Sequence, residues 1–231
     1  MEKPVLKVEN LSRSYKDGFT LQIPCLEFQE GKSYVLFGPN GAGKTTLLNL
    51  LAFLDFPQEG KVLFKEKEIV PYNSNLASLR KKVTLVMQDP YLFEGSVIQN
   101  LYYGLKLRSL RFNEVEEKIE DTLNMLSLWG LRNRDVQTLS GGERQKLALA
   151  RAIILDVEVL LLDEPTPHLD EICTAFIEEF INNIVTNRSS QTLIMATHNL
   201  EQAHRLSKEI IFLQDGRVQS ISPKKGRNKV K

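Results

Sequence analysis

The segment that most constrains this chain is the run from Gly38 to Thr45, with the sequence GPNGAGKT. It matches the pattern GxxxxGK[ST] at every fixed position. We predict a buried strand before it, at Ser33 to Phe37, and an apolar helix after it, at Thr45 to Leu54. Glycines let successive backbone N–H groups point at phosphate oxygens, and the helix adds the positive end of its dipole. This segment therefore predicts a strand–loop–helix unit that binds the phosphates of a nucleotide.

Apolar runs bounded by turn residues predict further strands on both sides of this unit. Helical periodicity dominates from about Tyr91 to Arg151, where Asn113 and Glu116 are typical of a capping box at a helix start. Strands that alternate with helices indicate an α/β fold with a largely parallel sheet, and we expect the helical stretch to be inserted into it. The other predicted strands lie at 5–8, 20–23, 26–28, 60–64, 83–87, 159–162, 192–196, 210–213 and 218–221, and another helix lies at 174–185.

Length and charge exclude several classes of protein. The chain has 231 residues and a formal charge of +1, and no run approaches the roughly 18 apolar residues of a membrane span. The start at Met1 to Pro4 lacks the apolar core of a signal peptide, and Cys25 and Cys173 lack CxxC partners, so we expect a cytoplasmic protein with reduced thiols. Residues 224–231 form a basic tail, for which we expect disorder, although it could also contact an anionic lipid surface.

The rest of the chain is acidic and is a poor binder of nucleic acid. Outside the tail, 25 basic and 29 acidic residues leave a formal charge of −4. Binding to a phosphate backbone needs basic surface. We therefore expect no nucleic-acid partner, and we expect residues 1–223 to form one domain.

Two adjacent carboxylates follow the apolar run Val159 to Leu162. Asp163 and Glu164 come at the carboxyl end of that predicted strand, where open α/β sheets bind their ligands. Because neighbouring strand residues point to opposite sides, we expect the two acids to have different roles. Asp163 suits the coordination shell of Mg²⁺, and Glu164 suits the activation of an attacking water.

A second glycine pair precedes a predicted helix at Ser140, Gly141 and Gly142. Exposed amides, a hydroxyl and a helix N-terminus together can bind an anion. The same residues are also typical of the start of an ordinary capped helix that binds nothing. The residues alone leave these two interpretations about equal. If the site binds phosphate, one nucleotide hardly needs two such cradles, so the second would serve a nucleotide that another copy holds.

The residues of these motifs and their order along the chain resemble those of the ATP-binding cassette (ABC) ATPases, and the resemblance covers nearly the whole chain. LSGGERQ at 139–145 is similar to the signature sequence of that family. The resemblance implies a RecA-like P-loop NTPase core with an antiparallel β subdomain and an inserted α-helical subdomain at about 91–151. It also assigns Tyr15 to stacking on adenine, Gln88 to Mg²⁺ and the lytic water, and His198 to the γ-phosphate. The implied nucleotide contacts are Tyr15, Gly38, Pro39, Asn40, Gly41, Ala42, Gly43, Lys44, Thr45, Thr46, Ser140, Gly141 and Gly142, and the implied Mg²⁺ ligands are Thr45, Gln88 and Asp163.

The same resemblance implies partners. Two cassettes of this family pack head to tail and hold two ATP molecules, each between the Walker A loop of one copy (residues 38–45 here) and the signature sequence of the other. Each cassette then docks from the cytoplasm on a separate integral membrane permease, through a groove near Tyr91 to Tyr103, and so lies on the inner face of the membrane. A further expected partner is an extracytoplasmic substrate-binding protein of the same system. The sequence departs from the family at Pro167 and His168, where Ser-Ala is usual, although Asp170 is kept.

Several functions remain open at this level. The chain is similar in length to the ATPase subunits of importers. The segment Leu92 to Gly104 resembles the corresponding segment in importers of inorganic oxyanions such as tungstate or phosphate. The alternatives are the ATPase of an exporter or of a lipoprotein-extracting complex, a cassette that acts on DNA or ribosomes, and a P-loop kinase of small molecules. The kinase alternative leaves Leu139 to Gln145 without a role.

Overall fold

The computed structural model describes residues 3–16, 18–72, 75–106, 112–187, 190–207 and 209–223, and the elements of the fold lie within these ranges. Met1, Glu2, Asp17 and the basic tail at 224–231 lie outside them. The strands are β1 Pro4–Ser14, β2 Thr20–Gln29, β3 Ser33–Phe37, β4 Glu59–Phe64, β5 Lys67–Glu68, β6 Val83–Val86, β7 Val159–Asp163, β8 Thr192–Thr197, β9 Glu209–Gln214 and β10 Arg217–Pro223. The helices are α1 Lys44–Leu51, α2 Leu76–Arg80, α3 Val97–Lys106, α4 Phe112–Met125, α5 Gly141–Ile153, α6 Glu171–Asn187 and α7 Leu200–Leu206.

The central sheet places the ends of three strands side by side. Its order is β10-β9-β3-β8-β7-β6, and the neighbouring strands from β9 to β6 are parallel. Phe37 is in register with Thr197, and Asp163 is in register with Ala196. Because β3, β7 and β8 end at the same level, the residues that follow them, Gly38, Glu164 and His198, emerge at one edge of the sheet.

A second sheet is antiparallel, with the order β2-β1-β4-β5. It shares an apolar cluster with α1 and one face of the central sheet, as Phe28, Leu48 and Leu161 illustrate. The prediction of two short strands at 20–23 and 26–28 was wrong, since β2 runs through Pro24 without a break. β2 is an edge strand, where the missing N–H of a proline removes no ladder bond.

Helices α3, α4 and α5 share a second apolar cluster with the other face of the central sheet. Leu101, Leu123 and Leu149 are fully buried there, together with Leu162 of β7. This packing fixes the N-terminus of α5 relative to the sheet. α4 already contains Asn113, which the sequence predicted as the residue before the helix.

Other element boundaries also differ from those that the sequence predicts. α1 ends at Leu51 and not at Leu54, because the chain turns at Phe53, with φ 60°, and buries that ring. The apolar patterns of the sequence do not indicate the two short helices α2 and α7. Within the described ranges, no helix has the length and apolar character needed to cross a membrane.

Candidate active site

The loop between β3 and α1 wraps around the ammonium group of Lys44. Gly43 has φ 99°, a conformation that L side chains rarely adopt, and a Cβ there would lie 2.8 Å from the Phe19 ring. Lys44 Nζ donates to the carbonyl oxygens of Gly38 (2.8 Å) and Pro39 (3.0 Å). Its side chain is only 5% exposed. The loop thus holds a buried positive charge at the start of a helix, where phosphate oxygens are bound most favourably.

Asp163 lies at the end of β7 and contacts the first turn of α1. Thr45 Oγ1 donates to Asp163 Oδ2 over 2.7 Å, while Asp163 Oδ1 is buried without a hydrogen-bond partner. Burial raises the pKa of this carboxyl above its ordinary value, and the negative charge of Glu164 raises it further. The hydrogen bond from Thr45 and the positive charge of Lys44 lower the pKa, but by less. A hydroxyl and a carboxylate with a free oxygen are the donors that Mg²⁺ prefers, so this pair fits the cation.

Glu164 takes a different direction from Asp163, as predicted, but for another reason. β7 ends at Asp163, and Glu164 has φ 44°, so the chain has left the strand before the second carboxylate. Its backbone N–H donates to the carbonyl of Ala196. The carboxylate lies 2.5 Å from His198 Nδ1 and 3.3 Å from Lys44 Nζ. An ion pair of lysine and glutamate, both more than nine-tenths buried, therefore closes the base of the site.

A cleft of about 410 Å³ lies over these groups. It brings together residues from the β1–β2 turn, the phosphate loop, the segment after β6 and the end of β7. Gln88 is exposed at its rim. The predicted site residues that line this cleft are Tyr15, Asn40, Gly41, Gly43, Lys44, Thr45, Thr46, Gln88 and Glu164.

Ser140, Gly141 and Gly142 line a separate cleft of about 450 Å³. Ser140 caps α5 through a capping box, since its Oγ accepts from Glu143 N–H and Glu143 Oε2 accepts from Ser140 N–H at 2.7 Å. A Cβ on Gly142 would lie 2.7 Å from Cys173 Sγ, whereas a Cβ on Gly141 would meet open space. The capped helix is therefore present, and the amides of Gly141 and Gly142 stand at its N-terminus.

Comparison with known proteins identifies the family. The sequence model of the family described as ABC transporter matches residues 21–167, which is more than half of the chain. The tungstate uptake system ATP-binding protein TupC of Peptoclostridium acidaminophilum is 37% identical over 213 residues, covering 92% of this chain and 96% of TupC. The chain belongs to the ABC transporter family.

Solved ABC cassettes have the same fold. CbiO1 from Clostridium perfringens, part of the ABC transporter complex cbiONQ, is 28% identical with a TM-score of 0.86, over 96% of this chain and 90% of CbiO1. The cassette MJ0796, in a dimeric post-hydrolysis state bound to ADP and Pi, is 27% identical with a TM-score of 0.86, over 96% of this chain and 99% of that one. The predicted fold class and family are confirmed, and the chain is an ATP-binding, ATP-hydrolysing subunit of an ABC transporter.

The departure of this ABC ATPase from the usual pattern at Pro167 and His168 has a local structure. His168 is exposed with φ 63°, and it lines the second cleft beside Lys146. Asp170 Oδ1 accepts from the backbone N–H of Cys173 at 2.7 Å. Asp170 therefore caps the start of α6, so this end of the loop is anchored despite the changed residues before it.

Two groups of residues near the site were missed from the sequence. Gln202, which is 3% exposed, bonds Thr197 Oγ1, Thr166 Oγ1 and Glu178 Oε1 over 2.7, 2.7 and 3.0 Å. It connects the loop after Glu164 to the loop that carries His198. Asp55 Oδ2 accepts hydrogen bonds from the Tyr15 hydroxyl and from Arg13 Nε. Neither group has a sequence motif, because each forms only when distant elements pack together.

Proposed function

We propose that two copies of this chain pack head to tail and hold two ATP molecules between them. The observation that carries the proposal is the separation of the two phosphate-binding loops, since Lys44 and Gly141 line different clefts of the same chain. Each ATP would then contact the phosphate loop of one copy and the α5 N-terminus of the other. The dimeric state of the related cassette MJ0796 supports this arrangement.

Within one site, the residues of this chain have distinct roles in the proposed reaction. Tyr15 stacks on adenine, the backbone from Gly38 to Thr46 surrounds the phosphates, and Lys44 turns from Glu164 to the β- and γ-phosphates. Glu164 accepts a proton from the attacking water, and His198, 2.5 Å from that carboxylate, holds it in place and contacts the γ-phosphate. Gln88 orients the water from the rim of the cleft.

Magnesium would be held by Thr45, Asp163 and Gln88. When bound, the cation neutralises charge on the β- and γ-phosphate oxygens. The buried, unpartnered Asp163 Oδ1 supports this assignment. Thr45 Oγ1 already donates a hydrogen bond to Asp163 Oδ2 over 2.7 Å, so these two side chains need little rearrangement to hold the cation.

The protein that this ATPase drives is an integral membrane permease. The permease contacts the subunit beside α3 and holds it on the cytoplasmic face of the membrane. A groove of about 270 Å³ lies between the segment after β6 and the helices, and Met87, Tyr91 and Leu155 line it. Tyr91 and Tyr103 beside it are 73% and 54% exposed. In this proposal residues 1–223 act as one unit, and the helical part at 91–151 transmits the change at the nucleotide to the permease.

The cargo class is an inorganic oxyanion, and the direction is import. The likeness to a tungstate uptake protein over 92% of the chain supports both parts of this proposal. An importer of this kind also needs a substrate-binding protein outside the cytoplasm. The cargo itself would bind to those partners and not to this chain.

Uptake measurements test the cargo. Deletion of the gene should lower cell-associated tungsten, measured by mass spectrometry after growth in micromolar tungstate. The wild-type gene should restore uptake, and a gene carrying Glu164→Gln should not, while Glu27→Gln serves as a control in an exposed ion pair with Lys7. Unchanged uptake of tungstate, molybdate and phosphate in the deletion strain would contradict the cargo class, and increased retention would favour export.

A further inference from the structure

Tyr15 is held by a cluster that lies outside the motifs of the nucleotide site. The hydroxyl of Tyr15 donates to Asp55 Oδ2 at 2.8 Å. Arg13 Nε donates to the same oxygen at 3.0 Å, and a second Arg13 nitrogen lies 3.0 Å from Asp55 Oδ1. The Arg13 guanidinium carbon also lies 5.1 Å from the centre of the Tyr15 ring. The ring is thus restrained both through its hydroxyl and through its π system.

The cluster joins two elements that are far apart in the sequence. Arg13 and Tyr15 belong to β1 and the turn after it, whereas Asp55 follows α1, the helix that begins at Lys44. A further pair of bonds runs beside the cluster, because Ser14 N–H donates to Gln58 Oε1 (2.6 Å) and Gln58 N–H donates to Ser12 O (2.9 Å). The turn that carries Tyr15 is therefore attached to the far end of the phosphate-loop helix.

The Asp55 carboxylate is the centre of this attachment. Its Oδ2 accepts hydrogen bonds from Arg13 Nε and the Tyr15 hydroxyl, and its Oδ1 accepts from the backbone N–H of Phe56 at 2.8 Å beside the second Arg13 nitrogen. The side chains of Asp55 and Arg13 are each 26% exposed, so the pair is partly shielded from water. Hydrogen bonds to ionised groups are shorter and stronger than neutral ones, and this suits a carboxylate that fixes a neighbouring ring.

We infer that Asp55, with Arg13, is a positioning residue for base recognition, which presets the orientation of the Tyr15 ring in the cleft that Tyr15 shares with the phosphate loop. The inference rests on the proposed stacking role of Tyr15. A preset ring loses no rotamer freedom when the base binds, whereas a free tyrosine side chain must be immobilised by the ligand. Asp55 therefore acts on the base end of the ligand and not on its phosphates.

A comparison of two ligands separates this role from a merely structural one. ADP carries the base, and inorganic tripolyphosphate offers phosphates without it, so both are titrated by calorimetry in Mg²⁺ into wild type and Asp55→Asn. We expect Asp55→Asn to weaken ADP binding by about 2- to 13-fold, the effect of immobilising one side chain, and to leave tripolyphosphate binding unchanged. Arg13→Gln should act in the same direction. Asp156→Asn, which removes the carboxylate of an exposed ion pair with Lys118, is the matched control.

Variants of the ring complete the test. Tyr15→Ala should weaken ADP binding by about 5- to 150-fold, the range for loss of a base–aromatic stack. In that background, where no ring is left to position, Asp55→Asn should weaken ADP binding no further. If Asp55→Asn weakens ADP and tripolyphosphate equally, or still acts in the Tyr15→Ala background, Asp55 supports the fold of the loop and the inference is wrong. If Tyr15→Ala leaves ADP binding unchanged, the proposed stacking role itself is wrong.

Discussion

Replacement of Glu164 by glutamine tests whether the carboxylate and a phosphate compete for Lys44. The Lys44 and Glu164 side chains are 5% and 8% exposed, and their charged atoms lie 3.3 Å apart. In Glu164→Gln the amide oxygen still accepts a hydrogen bond, but the buried ammonium loses its anionic partner. Removing one member of a buried ion pair costs about 3–5 kcal/mol, and the retained acceptor reduces this to about 1–3 kcal/mol.

The effect should be measurable as a change in thermal stability that depends on nucleotide. For a chain of this size about 1–3 kcal/mol corresponds to a fall in Tm of about 2–12 °C without ligand. With saturating ADP and Mg²⁺ the difference between the two proteins should shrink, because the β-phosphate replaces the carboxylate beside Lys44. Scanning calorimetry with and without ADP measures both quantities.

The control is Glu27→Gln, whose ion pair with Lys7 is accessible to solvent, so that its loss should leave the Tm nearly unchanged with and without ADP. If Glu164→Gln and wild type differ by the same amount with and without ADP, the phosphate does not displace the carboxylate. In that case the contact between Lys44 and Glu164 has no part in nucleotide binding.

Three further predictions follow from buried contacts. Gln202→Leu removes three buried hydrogen bonds, and it should lower the free energy of unfolding by about 1–3 kcal/mol and reduce kcat for ATP more than it raises KM. Gly142→Ala should lower the free energy of unfolding by about 1–3 kcal/mol, because the new methyl group would clash with Cys173 Sγ. In chemical denaturation, Gly142→Ala should cost less when Cys173 is also replaced by alanine. An equal loss with Cys173 and with Ala at position 173 would refute the clash. Burial raises the pKa of Glu178, but hydrogen bonds from Arg205 and Gln202 hold that pKa below its ordinary value of 4.5. The contribution of Glu178 to the free energy of unfolding is therefore fully present above about pH 4.5 and is lost as the pH falls through the lowered pKa. Glu178→Gln should flatten that part of the curve of stability against pH.

The sequence was sufficient where a local pattern carries the chemistry. The run from Gly38 to Thr45 predicted a strand, a turn and a helix, and all three are present with Ser33–Phe37 and Lys44–Leu51 as their bounds. The acidic pair at the end of β7, Asp163 and Glu164, was also found from its neighbours alone. In each case the responsible residues are adjacent in the chain, so their spacing contains the geometry.

The sequence was insufficient where distant elements meet. Asp55 lies 40 residues from Tyr15, and Gln202 lies 36 residues from Thr166. Such contacts follow from the order of strands in the sheet, which periodicity does not determine. Pro24 illustrates the same limit, because a proline breaks a central strand but is tolerated in β2, which lies at an edge of its sheet.

The mass of the protein in solution tests the central claim of an ATP sandwich most directly. Glu164→Gln should bind ATP without hydrolysing it, so size-exclusion chromatography with light scattering in ATP should give twice the monomer mass of 26.4 kDa. The same variant without ATP, or with Gly141→Glu added to place a negative charge at the α5 N-terminus, should remain at 26.4 kDa. A Glu164→Gln protein that stays monomeric in ATP while turning it over at the wild-type rate would contradict the account.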